Sequence, residues 1–308
     1  MAKKYREVPS NFKDFENYLI YKKQEVIDAF FKGKKYFFYD TCSILHHSNT
    51  ENRYYIIEFL KSKSAIIIIT RTVLMELTAN SFELHQVQIN FLKELYDNGL
   101  CILLFNEEII LACLKKILNI TIEEANKLLG FAVKEVSKFK TKTYEVLNSM
   151  DKRVANKLKS LEPGKTELYS NFFGYARSLK EEGDSLAEEL IFICIIVLTK
   201  IPSGKKYILI SNDLRIRHQV ISIKEYIKKH HNVSEPYQLT TAALLYKMYK
   251  EGIISNRNDM IDIISKSSNG NINVYFVSEY DIKQEKDSFT AEELVDRVIS
   301  ENEFRIIY

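Results

Sequence analysis

Two hydrophobic rhythms alternate along this chain. Short apolar runs at 35–39, 65–70 and 100–105 carry apolar side chains on both faces, the pattern of strands buried in a parallel sheet. Between them, over 52–62 and 72–98, apolar positions recur every three or four residues, which predicts helices. An earlier stretch, 10–32, has the same helical spacing and ends at Gly33. From 107 to 182 only the helical rhythm is present, and Thr121-Ile-Glu-Glu reads as a capping box. Alternation resumes at 184, with a helix to about 199, a strand at 207–211, and helices over 214–230, 238–251 and 257–266. Ile272 to Val277 reads as a fifth strand, and a last helix is predicted over 290–301.

Five strands joined by helical crossovers predict an α/β fold, a three-layer α/β/α sandwich around a mostly parallel five-stranded sheet. The organisation that follows is an N-terminal helix in 1–34, a core from 35–106 and 183–280, a large helical insertion at 107–182, and an acidic helical tail at 281–308. With 308 residues, 46% of them hydrophobic, the chain can bury a large core. Only 9 glycines and 4 prolines occur, and no low-complexity linker is visible. The longest apolar run, 190–198, is too short to cross a bilayer. The first residues lack the apolar core of a signal peptide. Cys42, Cys101, Cys113 and Cys194 form no CxxC pair and read as reduced thiols in apolar runs. A soluble, cytoplasmic protein is the expectation.

The chemistry lies in the acids. Asp40 and Asp213 each follow a predicted strand, Glu76 lies in the helix after the second strand, and Asp184 opens the apolar helix after Gly183. Positions of this kind converge at the carboxyl edge of a parallel sheet. Several carboxylates at one point repel unless a cation lies among them, and magnesium or manganese prefers such oxygens. Two such cations can clamp the attacking and leaving oxygens of a phosphodiester. No phosphate-cradling glycine loop is present.

These segments resemble the PIN-domain nuclease superfamily. The carriers are Phe37-Phe38-Tyr39-Asp40-Thr41-Cys42-Ser43, Thr70-Arg71-Thr72-Val73-Leu74-Met75-Glu76, Gly183-Asp184-Ser185, and Ile210-Ser211-Asn212-Asp213. The resemblance implies a PIN-like fold closing on the strand at 272–277. It implies Asp40, Glu76, Asp184 and Asp213 as catalytic metal ligands, with Thr41, Ser43, Ser211 and Asn212 supporting them. Glu188, one helical turn after Asp184, is a further ligand or its replacement. Cys42 departs from the Asn or Ser common in the family. The implied activity is Mg²⁺- or Mn²⁺-dependent hydrolysis of RNA, in a toxin or phage-defence setting. A structure-specific DNA nuclease and a catalytically inactive binding module are the alternatives.

Charge suggests where a strand would lie. Between 131 and 165 nine Lys and Arg face four acids. Lys134, Lys138 and Lys142 would line one helix face at i, i+4 and i+8, able to neutralise phosphates, and Arg215 and Arg217 follow Asp213. Segment 279–308 reverses the balance, with nine acids and four bases, and could cover that stripe or meet a second copy in a homodimer. His46 and His47 follow the first acid and read as ordinary loop histidines.

Overall fold

A computed structural model describes residues 5–138, 141–160, 162–200, 204–213, 216–217, 220–222, 224–225, 237–268, 270–277, 284–301 and 304–307. Its centre is an all-parallel five-stranded sheet: β1 (Lys35–Tyr39), β2 (Ile66–Thr70), β3 (Cys101–Phe105), β4 (Lys206–Ile210) and β5 (Tyr237–Leu239), in the order β3-β2-β1-β4-β5. The strands are almost wholly buried, as apolar side chains on both faces require in a layer covered on both sides. β1 pairs Tyr36 with Ile66 of β2 and Phe38 with Leu209 of β4. The chain runs outward from β1 through β2 to β3, then returns to β4 on the other side of β1. The strand order therefore reverses between β1 and β4, and the crevice above their carboxyl ends is where open parallel sheets bind ligands.

Helices flank the sheet. α1 (Lys23–Lys32), α2 (Thr41–Asn49), α3 (Arg53–Ser62), α4 (Arg71–Leu77) and α5 (Gln86–Asp97) belong to its first half. α6 (Ile109–Leu118), α7 (Ile122–Ser137), α8 (Lys142–Ser149), α9 (Lys152–Lys159) and α10 (Tyr169–Ser178) fill the stretch before α11 (Leu186–Leu198). Every residue of α11 is buried. It packs on α6, α7 and α8 and on α4, which explains a helix that is apolar all round. Tyr169, Phe172 and Phe173 of α10 are core residues.

Several expected elements differ. Residues 10–32 form two single 3₁₀ turns, Phe12–Asp14 and Glu16–Tyr18, an isolated bridge from Ile20 to Leu103, and only then α1. The N-terminal segment so covers the outer edge of β3. The fifth strand of the main sheet is Tyr237–Leu239, overlapping the start of the predicted 238–251 helix; α12 (Thr241–Lys250) follows it. Ile272–Val277 (β6) instead lies in a second, antiparallel sheet with Glu285–Phe289 (β7) and Arg305–Ile306 (β8), in the order β7-β6-β8. The acidic tail therefore contributes two strands as well as its helix, α14 (Ala291–Ser300), which packs on α13 (Arg257–Ser265). The helix expected over 214–230 lies mainly outside the described residues. No helix among the described residues is long and apolar enough to cross a membrane.

Candidate active site

Asp40, Glu76 and Asp213 reach the crevice by a short route from the sheet, and Asp184 and Glu188 reach it from the start of α11. Asp40 ends β1 and caps α2, accepting a hydrogen bond from the Ser43 N–H at 2.6 Å. Ser211 and Asp213 follow β4, and the Asp40 N–H donates to the Ile210 carbonyl at 3.1 Å, which ties the two strand ends together. The Gln238 amide of β5 donates to the carbonyls of Ser211 (2.9 Å) and Asp213 (3.0 Å) and fixes the loop after β4. Glu76 stands on the last turn of α4. The N-terminus of that helix is held by buried Glu107, which accepts from the Thr72 N–H at 2.9 Å. Glu107 is in turn paired with Arg177 of α10 at 2.7 Å. Glu188 lies in the first turn of α11.

Thr41, Cys42, His46, Glu76, Lys180, Asp184, Glu188, Asn212 and Asp213 line one cleft of about 490 Å³. The carboxylates there feel one another. Burial, then the charges of Glu76, Asp40 and Asp213, push the Glu188 carboxyl up to about 8. Burial raises Asp40 to about 6, with Glu76 adding to the rise while Ser211 and Ser43 oppose it. Burial also raises Glu76, against the pull of Lys180 and the Thr41 hydroxyl. The Cys42 side chain, exposed at the mouth, has its thiol pushed up to about 12 by desolvation and then by Asp40, Glu188, Glu76 and Asp213.

Two carboxylate oxygens in this cluster are buried and make no hydrogen bond of good geometry: Asp40 Oδ2 and Glu188 Oε2. Such atoms are costly to leave unmet in a folded protein. Asp184, by contrast, is fully engaged. Its Oδ1 accepts from the Leu186 N–H at 3.1 Å and from Lys180 Nζ, and its Oδ2 from the Glu181 N–H at 2.8 Å. Of the two residues read as alternatives, Glu188 offers the open oxygen and Asp184 braces a loop.

That loop brings in a residue the sequence reading missed. α10 ends at Ser178, the chain turns through Gly183 at φ +73°, and Lys180 points back into the acids. Its side chain is 1% exposed, and Nζ lies 2.7 Å from Glu76 Oε1 and also contacts Asp184. Burial works to lower its pKa, but Glu76 and Asp184 outweigh this and leave it raised; the ammonium is charged. Nothing in the spacing signals Lys180, because an irregular turn places it.

Of the supporting polar residues, Thr41, Ser43 and Ser211 lie against the acids and Asn212 bonds to other groups. The Thr41 hydroxyl donates to Glu76 Oε2. The Asp213 N–H donates to Ser211 Oγ at 3.1 Å. Ser43 is buried beside Asp40, and its hydroxyl makes no hydrogen bond of good geometry. Asn212 is locked by the start of α12: its Oδ1 accepts from the Thr241 N–H at 2.7 Å. Its Nδ2 therefore faces His46 Nδ1 at 3.1 Å, which assigns the His46 proton to Nε2. His47 is not a loop residue but a buried one, bonded to Tyr39 Oη (3.2 Å) and Thr241 Oγ1 (3.1 Å).

The basic residues do not form the expected stripe. α7 ends at Ser137, and Lys142 begins α8, so Lys134, Lys138 and Lys142 share no helix face. Glu189 caps the second helix: it accepts from the Lys142 and Thr143 N–H groups at 3.1 and 2.7 Å. The Lys142 ammonium is bound by Glu145 and Glu181, and Lys138 pairs with Glu135. Lys134 is exposed. Arg217 is buried against the second sheet, stacked 3.7 Å above the Tyr275 ring and bonded to Gln284, and Arg215 lies outside the described residues.

Comparison with protein-family models, with curated proteins and with solved structures gives no match.

Proposed function

We propose that this chain is a metal-dependent endoribonuclease of the PIN-like kind, a cytoplasmic enzyme that hydrolyses RNA phosphodiester bonds with Mg²⁺ or Mn²⁺. The observation that carries the reading is the convergence, at the point where the strand order reverses, of a carboxylate cluster in which two buried oxygens, Asp40 Oδ2 and Glu188 Oε2, make no hydrogen bond of good geometry. Hard divalent cations prefer oxygen donors, so the donor chemistry fits. Among the described residues no three His, Cys, Asp or Glu side chains are already closed around one point; two of the acids are drawn to Lys180 instead.

Asp40, Glu188 and Asp213 are the residues that would hold the ion. A bound divalent cation would lower the pKa of a water and offset charge on the phosphodiester. The chain supplies the rest. Thr41 fixes the Glu76 carboxylate, the crevice receives the scissile phosphate, and His46 presents an Nε2–H from the cleft wall.

Total RNA incubated with the full-length protein, with and without Mn²⁺, tests this by mapping of the new ends. Cleavage should require the metal and be lost in Asp40→Asn and Asp213→Asn, with circular dichroism unchanged. Full cleavage in EDTA would overturn the reading. Cleavage of flapped DNA alone would move it to a structure-specific DNA nuclease.

A further inference from the structure

The acid cluster is divided into a satisfied half and an unsatisfied half. In the satisfied half, Glu76 Oε1 is paired with Lys180 and Oε2 accepts from Thr41, while both Asp184 oxygens are bonded. In the other half stand two buried oxygens without a hydrogen bond of good geometry, on Asp40 and Glu188, residues 0% and 8% exposed. A two-cation centre needs the acids of both halves. We infer that this protein is a one-cation centre in which the Lys180 ammonium permanently occupies the second cation's place, between Glu76 and Asp184. The inference rests on the metal-dependent reading above and specifies its stoichiometry.

Donor geometry separates this role from that of a phosphate-binding lysine. An ammonium has three N–H donors. Those of Lys180 reach Glu76 Oε1, Asp184 and the Glu181 carbonyl, the last at 2.7 Å, so none remains for a substrate oxygen. The side chain is thus an internal counter-ion. It cancels one of the negative charges that would otherwise stand face to face and leaves the Asp40–Glu188 half as the place for a single divalent ion. Lys180 is a positioning residue: it holds Glu76 and Asp184 without touching the reacting atoms. The anchor of α10 supports the placement, since Arg177, three residues earlier, is bonded to Glu107 and Glu108 at 2.7 and 2.8 Å.

The test counts bound Mn²⁺ on the full-length protein by calorimetry and electron paramagnetic resonance, with no substrate present. Wild type should bind one ion per chain and show an isolated-ion signal even in excess Mn²⁺. Lys180→Ala should bind two, with the spectrum of a spin-coupled pair, and Lys180→Arg should stay at one. If Lys180→Ala does not fold, Lys180→Met and the wild-type spectrum alone carry the test. Two ions or a coupled pair in wild type overturns the inference and leaves the nuclease reading standing. One ion in both wild type and the Lys180→Ala or Lys180→Met protein reduces Lys180 to a structural ion pair and likewise overturns it. No Mn²⁺ bound by either protein overturns the metal-dependent reading itself.

Discussion

At the scale of the residue, a buried strand fixes what directly follows it: the Asp40 N–H is bonded to the Ile210 carbonyl at the end of β4, and Ser211 and Asp213 come straight after. Asp40 and Asp213 needed only the periodicity of β1 and β4 to be placed. Lys180 was not legible, since no periodic pattern governs the turn from Leu179 to Ser185. His47 shows how far one buried group governs behaviour. Burial, then the charge of His46, lowers its pKa from the ordinary 6.5 to about 3. Between those values the unfolded chain binds a proton that the folded protein refuses, so folding stability falls as pH drops from about 6.5 toward 3. One such proton gives a slope of up to about 1.4 kcal/mol per pH unit. Urea unfolding of wild type and His47→Gln at pH 7, 5.5 and 4.5 reads the difference. The variant should start less stable at pH 7 and close the gap as the pH falls; a constant gap would show that His47 is not held neutral.

At the scale of the element, unbroken apolar runs matched the sequence reading as strands β1 to β4 and as α11, whereas the helical spacing over 10–32 held only for α1. β2 and α11 declare themselves by unbroken apolar runs. β5 is three residues, Tyr237-Gln238-Leu239, too short to show a period beside the helix it precedes. β6 alternates buried and exposed positions, which is the mark of a strand with one covered face rather than a central parallel strand. The lysine stripe failed because the three positions fall on two separate helices, the second of them capped by Glu189 of α11. Ties between elements carry equal weight. Arg177 is 4% exposed and joins α10 to Glu107, which caps α4, the helix that bears Glu76. Removing one member of a buried charge pair leaves the other uncompensated, at a cost of about 3–5 kcal/mol. Arg177→Ala should lose about that much in denaturant unfolding and weaken Mn²⁺ binding with it, because both Glu76 and Lys180 shift. A loss under about 1 kcal/mol, the range of exposed pairs, would show that the tie is not used.

At the scale of the whole molecule, the fold gathers carboxylates against their own repulsion. Asp40 is raised to about 6 and Glu188 to about 8, and Glu76 is raised as well. In the unfolded chain these groups titrate near 4, so between about pH 4 and 8 the folded state holds protons that the unfolded state has released. The stability those protons confer is complete below the unfolded pKa and is lost as pH rises through about 6 and then about 8. In EDTA, thermal midpoints should therefore decline from pH 5.5 to 8.5, and Glu188→Gln should flatten the upper part of that decline. A divalent ion competes with the same protons and stabilises the folded state by RT ln(1 + [Mn²⁺]/Kd), so more as its affinity rises. The rise in midpoint on adding Mn²⁺ should accordingly grow from pH 6 to pH 8.5 in wild type and shrink in Glu188→Gln. A Mn²⁺ effect that is flat or falls with pH would mean that the ion binds elsewhere, because only a site made of these protonated carboxylates ties metal affinity to their release.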